Sequence, residues 1–171
     1  EKSGIELPHE ASGFVPNPFW KRVREGERWY DGDTVNFAIG QGYLSATPMQ
    51  LLRMVSVIAT NGKLVEPFLV KEIGFQEARG PRYRTLPFTA QHLALIREGM
   101  VQVVNHEDGT GRFAQVPGLE IAGKTGTAQV PGREPHAWFV GYGPVQDPRA
   151  AVVVLVEHGG KGGLVASEMT G

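Results

Sequence analysis

Three strand-like segments near the end of the chain constrain its fold most strongly. They span residues 119–130, 136–143 and 150–157, and the last is nearly continuous in valine and leucine. Pro131-Gly132 and Asp147-Pro148 supply the turns between them. Turns this short join neighbouring strands in an antiparallel sense. The sequence therefore predicts an antiparallel sheet in this part of the chain.

Two helices are predicted before the sheet. Thr47 is a capping residue directly before Pro48, and Gln50 completes a capping box, so a helix should run from about residue 48 to 61. A second helix is predicted over residues 89–105, where apolar side chains recur at helical spacing. Both helices should bury one face against the sheet.

The remaining segments carry weaker signals. Residues 1–36 are rich in glycine, proline and aromatic residues, which predicts an irregular segment anchored to a core. Residues 65–73 and 83–86 are predicted to be strands. The glycine-rich stretch 159–163 should form a flexible loop before a helix that starts near Val165. Together these elements indicate the α+β class, with helices flanking an antiparallel sheet.

Composition excludes several kinds of function. The net charge is −1, from 17 basic and 18 acidic residues, so no broad field attracts nucleic acid or anionic lipid. The chain has no cysteine, which rules out disulfides, thiolate metal sites and cysteine nucleophiles. Its five histidines show no paired spacing of the kind that binds metal. We therefore expect neither a metal ion nor a cofactor.

The run from Gly123 to Gln129 is the main candidate for chemistry. Alternation along a strand puts Lys124 and Gly126 on one face, and Thr125 and Thr127 on the other, unless the strand twists or bulges. Gly126 removes a side chain and so permits the close approach of a ligand or a backbone. Such a strand edge could hold a carboxylate and stabilise an oxyanion. An edge strand with a solubilising lysine is the simpler alternative.

A wider resemblance raises the weight of this motif. Lysine, threonine and glycine at the start of a strand form one of three elements, with Ser-x-x-Lys and Ser-x-Asn, in the site of penicillin-binding proteins and serine β-lactamases. Nearly the whole chain resembles the elongation-type class B penicillin-binding proteins, the penicillin-binding protein 2 family, in the order of its motifs. The matching runs are Ser12-Gly13 with Trp20, Trp29 to Thr34, Ile39 to Tyr43, Ala46 to Gln50, Gly123 to Gln129, His136 to Tyr142, and Val154 to Gly160 with Gly162-Gly163.

The resemblance implies a penicillin-binding transpeptidase or serine β-lactamase-like fold and a reaction. In this family a serine attacks the D-Ala-D-Ala end of a peptidoglycan stem peptide and passes the acyl group to an amine on a neighbouring stem. β-Lactams acylate the same serine. By motif match, Lys124 would adjust the electrostatics of the proton relay. Thr125 and Thr127, on either side of the substrate-binding Gly126, would hydrogen-bond the substrate carboxylate. The Thr127 N–H would form half of the oxyanion hole.

Other polar residues carry less weight. His136 and Trp138 lie one hairpin away from the motif strand, so both are candidate substrate-binding residues, although a half-exposed strand histidine is the simpler interpretation of His136. Asp31 and Asp33 are interpreted as turn residues. Gly109-Thr110-Gly111 lacks the full phosphate-loop pattern, so nucleotide binding is not favoured.

The nucleophile of the family is missing. None of the five serines is followed by lysine three residues later, and no Ser-x-Asn is present. Thr60-Asn61-Gly62-Lys63 has the lysine spacing with a threonine, but its Asn-Gly pair is explained by a helix C-cap. Both missing motifs come earlier in the family's chain order. We therefore expect residues 1–171, which open on Glu1, to be an excised C-terminal part of a transpeptidase domain that is inactive by itself.

Expectations for the parent protein follow from the resemblance. It would be anchored in the inner membrane by an N-terminal segment outside this chain and act in the periplasm, in cell-wall elongation and cell-shape maintenance. Its partners would be peptidoglycan stem peptides, β-lactam antibiotics and membrane proteins of the elongation complex, and not nucleic acid. Two alternatives stay open. A serine β-lactamase or β-lactam sensor shares the Lys-Thr-Gly strand but should lack the run over residues 39–50, and a non-catalytic interaction module would lack the nucleophile.

Overall fold

The computed structural model describes residues 2–77 and 80–171, and it has the α+β architecture predicted from the sequence. Over those residues the elements are α1 (Pro18–Glu25), α2 (Asp31–Ala38), α3 (Pro48–Ala59), β1 (Lys63–Glu66), β2 (Glu72–Ile73), β3 (Gln76–Glu77), β4 (Arg82–Thr85), α4 (Ala90–Asn105), a short 3-10 turn (Arg112–Ala114), β5 (Ala122–Val130), β6 (Arg133–Gly143), β7 (Ala150–Val156) and α5 (Val165–Glu168). In these two described ranges, no helix is long and apolar enough to cross a membrane.

The central sheet consists of β5, β6 and β7 in that order, and both pairings are antiparallel. This confirms the two predicted hairpins. In the register of β5 and β6, Lys124 lies opposite Val140, and Thr127 lies opposite Ala137. A register shift after Ala128 bends the end of β5, beyond the motif. Two further antiparallel pairs, β1 with β4 and β2 with β3, lie apart from this sheet.

The helix predicted at residue 48 is confirmed, and its ends show why it forms. Thr47 Oγ1 accepts a hydrogen bond from the Gln50 N–H at 3.2 Å, while Gln50 Oε1 accepts one from the Thr47 N–H at 2.9 Å. This reciprocal pair satisfies two N–H groups that the first turn leaves open. At the other end Asn61 has a φ of 59°, and the Gly62 N–H returns to the Val57 carbonyl at 2.8 Å. The helix thus ends two residues earlier than predicted, at Ala59.

The core lies on both faces of the sheet, and α4 joins its two halves. Val104 packs in a cluster with Phe139 of β6 and Ala166 of α5, and all three side chains are fully buried. Met100, one turn earlier, packs in a second cluster with Val55 of α3 and Tyr142 of β6. Consequently α3 and α5 pack on opposite faces of the sheet, and α4, which packs against β5, contributes side chains to both clusters.

Two predictions for the early part of the chain are wrong. Residues 1–36 are not irregular throughout, since α1 begins at Pro18 with Asn17 Oδ1 accepting from the Trp20 N–H at 2.9 Å. The predicted strand over residues 65–73 is interrupted after Glu66. Pro67 follows at once and has no N–H to donate to a ladder, so pairing cannot continue there.

Asp31 and Asp33 are not turn residues, because both lie in the first turn of α2, where Asp33 forms a partly buried ion pair. Its Oδ2 accepts from Lys21 Nζ of α1 at 2.7 Å and from the Tyr30 N–H at 2.8 Å. The Lys21 side chain is only 4% exposed. The hydrogen bond from Lys21 lowers the pKa of Asp33, and the same bond raises the pKa of Lys21. The pair therefore ties α1 to α2.

This pair predicts how stability depends on pH. Asp33 has a depressed pKa, so its stabilisation is present above its ordinary value of about 3.9 and is lost as pH falls through the folded value. Lys21 has a raised pKa, so its stabilisation is present below its ordinary value of about 10.4 and is lost as pH rises further. We expect the Tm difference between the wild type and Asp33→Asn to be constant between these limits and to shrink in acid. A Tm difference that does not shrink as the pH falls below the ordinary carboxyl pKa of about 3.9 would contradict this.

Candidate active site

The motif strand β5 exposes one edge. Gly162 lies against the carbonyl oxygens of both Gly126 and Trp138. Because one residue contacts both oxygens, both point into the gap between β5 and β6. Gly126 and Trp138 therefore form a hydrogen-bonded pair of the antiparallel ladder. Peptide groups alternate in direction along a strand, so Thr125 and Thr127 turn their N–H and C=O groups outward. No strand within residues 2–77 and 80–171 pairs with this edge. Its outward N–H groups therefore have no strand partner and can bind an extended ligand.

The lysine and the hydroxyls lie on opposite faces of β5, as their spacing predicts. Lys124 shares its face with Val140 and borders an apolar groove of about 450 Å³ between α3 and α4. Its exposed side chain nevertheless curls to the outer edge, where Nζ donates to the Thr125 carbonyl at 2.6 Å. The ammonium and the outward peptide groups thus meet at the edge.

The hydroxyl face borders a separate cavity. Thr125 Oγ1 lies 2.9 Å from Thr110 Oγ1, and Thr127 Oγ1 accepts from the Gly162 N–H at 3.4 Å. These contacts fix both hydroxyls next to the loops that precede β5 and follow β7. The cavity has a volume of about 490 Å³ and is lined by Gly109, Thr110, Arg112, Phe113, Thr125, Thr127, Lys161, Gly163 and Leu164.

Gln41 also reaches the strand edge. It lies just after α2, and its Nε2 donates to the outward Thr127 carbonyl at 2.9 Å across 86 residues of chain. A groove of about 580 Å³ continues from Gln41 along the end of β5 to Gln129 and Arg133. This contact restrains the strand edge at Thr127. It uses the Thr127 carbonyl, and Gln41 does not bond to the N–H of the same residue.

His136 and Trp138 lie one strand inward, on the face that carries Lys124. His136 is half-buried, and its Nδ1 accepts from the His158 N–H at 3.0 Å, with the two rings 4.7 Å apart. A Cβ added at Gly126 would lie only 3.2 Å from the Trp138 Cβ, so the absence of a side chain at Gly126 lets the Trp138 side chain pack closely against the strand. Neither His136 nor Trp138 lines the cavity beside Thr125 and Thr127.

Sequence patterns did not reveal the neighbours of the motif. Thr110, Gln41 and Gly162 are 15, 86 and 35 residues away from their hydrogen-bond partners on β5. No local periodicity encodes such contacts. Gly162 did offer a signal, because a glycine can mark close backbone approach, and a Cβ there would collide with the Gly126 carbonyl oxygen.

The site contains binding groups without a nucleophile. Outward N–H groups, two hydroxyls and an ammonium can hold a carboxylate and stabilise a developing oxyanion. The hydroxyls of four of the five serines instead bond to nearby backbone groups: Ser3, Ser45, Ser56 and Ser167. In the described part of the chain, no cluster of three or more histidine, aspartate or glutamate side chains could hold a metal ion.

Comparison with known proteins places this geometry in context. The family described as the penicillin-binding protein transpeptidase domain matches residues 1–170. The peptidoglycan D,D-transpeptidase MrdA of Acinetobacter baumannii is 34% identical over 97% of this chain. Penicillin-binding protein 2 of Helicobacter pylori, solved in complex with MreC, aligns over 99% of the chain with a TM-score of 0.82 and 37% identity.

A third similar protein is penicillin-binding protein 2 of Pseudomonas aeruginosa, solved in complex with WCK 5153. It aligns over 93% of the chain with a TM-score of 0.81 and 39% identity. The chain spans only part of each of these proteins: 27% of the Acinetobacter relative, 32% of the Helicobacter chain and 36% of the Pseudomonas chain.

Proposed function

This chain belongs to the penicillin-binding protein transpeptidase family, and on that premise we propose that residues 1–171 form the C-terminal part of a peptidoglycan D,D-transpeptidase domain. The whole protein would cross-link stem peptides through a serine acyl-enzyme and would be acylated by β-lactams. One observation carries the proposal: within one short segment, β5 presents the Lys124 ammonium and an outward Thr127 N–H at its outer edge and two threonine hydroxyls on the adjoining face.

Each group has a separate role in this proposal. Thr125 and Thr127 bind the terminal carboxylate of the stem peptide through their hydroxyls. The Thr127 N–H donates to the scissile carbonyl oxygen as negative charge develops on it. Lys124 lowers the energy of negative charge near the reacting serine and so favours transfer of its proton. Gly126 allows the substrate backbone to approach the strand closely.

The covalent step requires a serine that this chain does not supply. We assign it to a Ser-x-x-Lys motif outside residues 1–171, because no serine of the chain has that spacing. Its oxygen would bond to the penultimate D-Ala carbonyl carbon, and the terminal D-Ala would leave with the transferred proton. An acceptor amine would then displace the serine oxygen and form the cross-link. His136 and Trp138 would support the motif strand from β6.

Setting and partners are further parts of the proposal. The parent protein would act in the periplasm, anchored in the inner membrane, during cell-wall elongation and cell-shape maintenance. The Helicobacter relative solved with MreC supports a role for partner proteins of this kind. A β-lactamase or sensor, or an interaction module, is not favoured, because the relative with 34% identity is named a peptidoglycan D,D-transpeptidase.

Acylation of the full-length protein tests the proposal. We expect fluorescent penicillin to form a stable covalent adduct, and a stem-peptide donor ending in D-Ala-D-Ala to release D-Ala into a cross-linked product when an acceptor amine is present. Rapid hydrolysis of the adduct would instead support a β-lactamase. The absence of any adduct on a folded protein would support the interaction module.

A further inference from the structure

The cavity beside Thr125 and Thr127 is lined by positive charge only. Arg112 and Lys161 are its charged lining residues, and no acidic side chain lines it. Neither cation forms an ion pair with a carboxylate in the part of the chain that the structure describes. Both side chains are exposed at the cavity. Positive charge that no carboxylate of the described residues neutralises, next to hydroxyl groups, is suited to an anionic ligand.

Lys161 is held next to the motif strand by its backbone. Its carbonyl accepts from the N–H groups of Leu164 at 3.1 Å and Val165 at 3.2 Å, which fixes it at the turn that leads into α5. The next residue, Gly162, packs against β5 and donates to Thr127 Oγ1. The loop over residues 159–163, predicted to be flexible, is thus anchored at its centre. The Lys161 side chain therefore extends from a fixed base beside Thr127.

Arg112 reaches the same cavity from the opposite loop. It begins the 3-10 turn, which is anchored by the fully buried Ala114 at its end. The guanidinium lies 5.2 Å from the ring centroid of Phe113, which also lines the cavity. Lys161 and Arg112 therefore approach the two hydroxyls from separate segments of the chain.

Lys124 does not line this cavity, because its side chain leaves the other face of β5 and its ammonium bonds to the Thr125 carbonyl at the outer edge. The cations that line the cavity with the two hydroxyls are Arg112 and Lys161. We propose that Lys161 and Arg112 are the counter-ions of the carboxylate that Thr125 and Thr127 bind, and that they set the preference of the site for anionic ligands. This inference rests on the proposed function. In this proposal Lys124 acts on the reacting centre, while Lys161 and Arg112 bind the carboxylate of the ligand.

The test uses the full-length protein and two ligands that differ in charge: benzylpenicillin and its methyl ester. We expect Lys161→Gln to lower the second-order acylation rate for benzylpenicillin about 10-fold at low salt, the size of a lost charge-assisted hydrogen bond. Adding Arg112→Gln should lower it further. The rate for the ester should stay unchanged in both variants. Added salt should reduce the effect, because the cations are exposed.

Two control variants separate charge from loop structure. Lys161→Arg keeps the charge and should retain most of the rate for benzylpenicillin. Lys71→Gln removes an exposed lysine whose ion pair is with Glu72, outside the cavity, and should leave both rates unchanged. Equal losses for the acid and the ester would overturn the inference, as would unchanged rates in the double variant. Failure of the wild type to be acylated by either ligand would contradict the proposed function, and the inference with it.

Discussion

Replacing Lys124 with alanine in the full-length protein is expected to slow acylation by penicillin about 100- to 1,000-fold, the cost of removing one preorganised charge-stabilising group from an acyl-transfer site. The ammonium lies at the outer edge of β5, 2.6 Å from the Thr125 carbonyl oxygen, where an extended ligand would bind. Its side chain is exposed, so its removal takes little from the core. Acylation should therefore fall while the Tm stays close to that of the wild type.

Stopped-flow acylation with a fluorescent penicillin, together with thermal unfolding, measures both quantities. Lys71→Ala is a matched control, because that lysine is also exposed but lies outside the site. Lys124→Arg should fall between the wild type and the alanine variant, since arginine keeps the charge but has a different donor geometry. Unchanged acylation in Lys124→Ala would remove this lysine from the site. An equally large fall in Tm would assign it a structural role instead.

Replacing Thr127 with proline is expected to have an effect of similar size. Proline removes the outward N–H, and loss of one oxyanion donor costs about 100- to 1,000-fold in rate. The sheet should survive, because this N–H faces away from β6 and proline is tolerated at such edge positions. The change also removes the hydroxyl. A second variant must therefore separate the two groups.

Thr127→Val supplies that separation, because it keeps the N–H and removes only the hydroxyl. We expect it to lose about 10-fold, the value of one hydrogen bond to a charged group. Thr125→Pro removes the other outward N–H and should affect acylation less than Thr127→Pro. Equal losses for Thr127→Pro and Thr127→Val would show that the hydroxyl accounts for the whole effect. The Thr127 N–H would then not be an oxyanion donor.

The parts of the fold that the sequence predicted correctly depend on local signals. The hairpins of the central sheet follow from apolar strands joined by Pro131-Gly132 and Asp147-Pro148, and α3 follows from a capping box within four residues. The start of α1 carries a comparable signal in Asn17-Pro18. It was obscured by the high density of glycine, proline and aromatic residues around it. The interruption after Glu66 was signalled by Pro67, whose missing N–H outweighs the apolar pattern around it.

The candidate site likewise has features that the sequence predicted and features that it did not. Alternation along β5 predicted that Lys124 and the two threonines lie on opposite faces, and the structure confirms this. Alternation could not predict that the lysine curls to the outer edge. The contact of Gln41 with Thr127 depends on how the loops pack in three dimensions, so the sequence held no direct signal for it, whereas the glycine at position 162 signalled only that some backbone approaches closely. Their roles in binding stay predictions that the variants above can test.

We propose that this chain supplies the binding edge of the site and that the attacking serine lies elsewhere in the protein. Mass-spectrometric mapping of the full-length protein after penicillin treatment tests this division of the site. We predict one acylated serine, within a Ser-x-x-Lys motif outside residues 1–171, and no adduct on an isolated 171-residue chain shown by circular dichroism to be folded. A stable adduct on Ser3, Ser12, Ser45, Ser56 or Ser167 would show instead that the nucleophile lies within this chain.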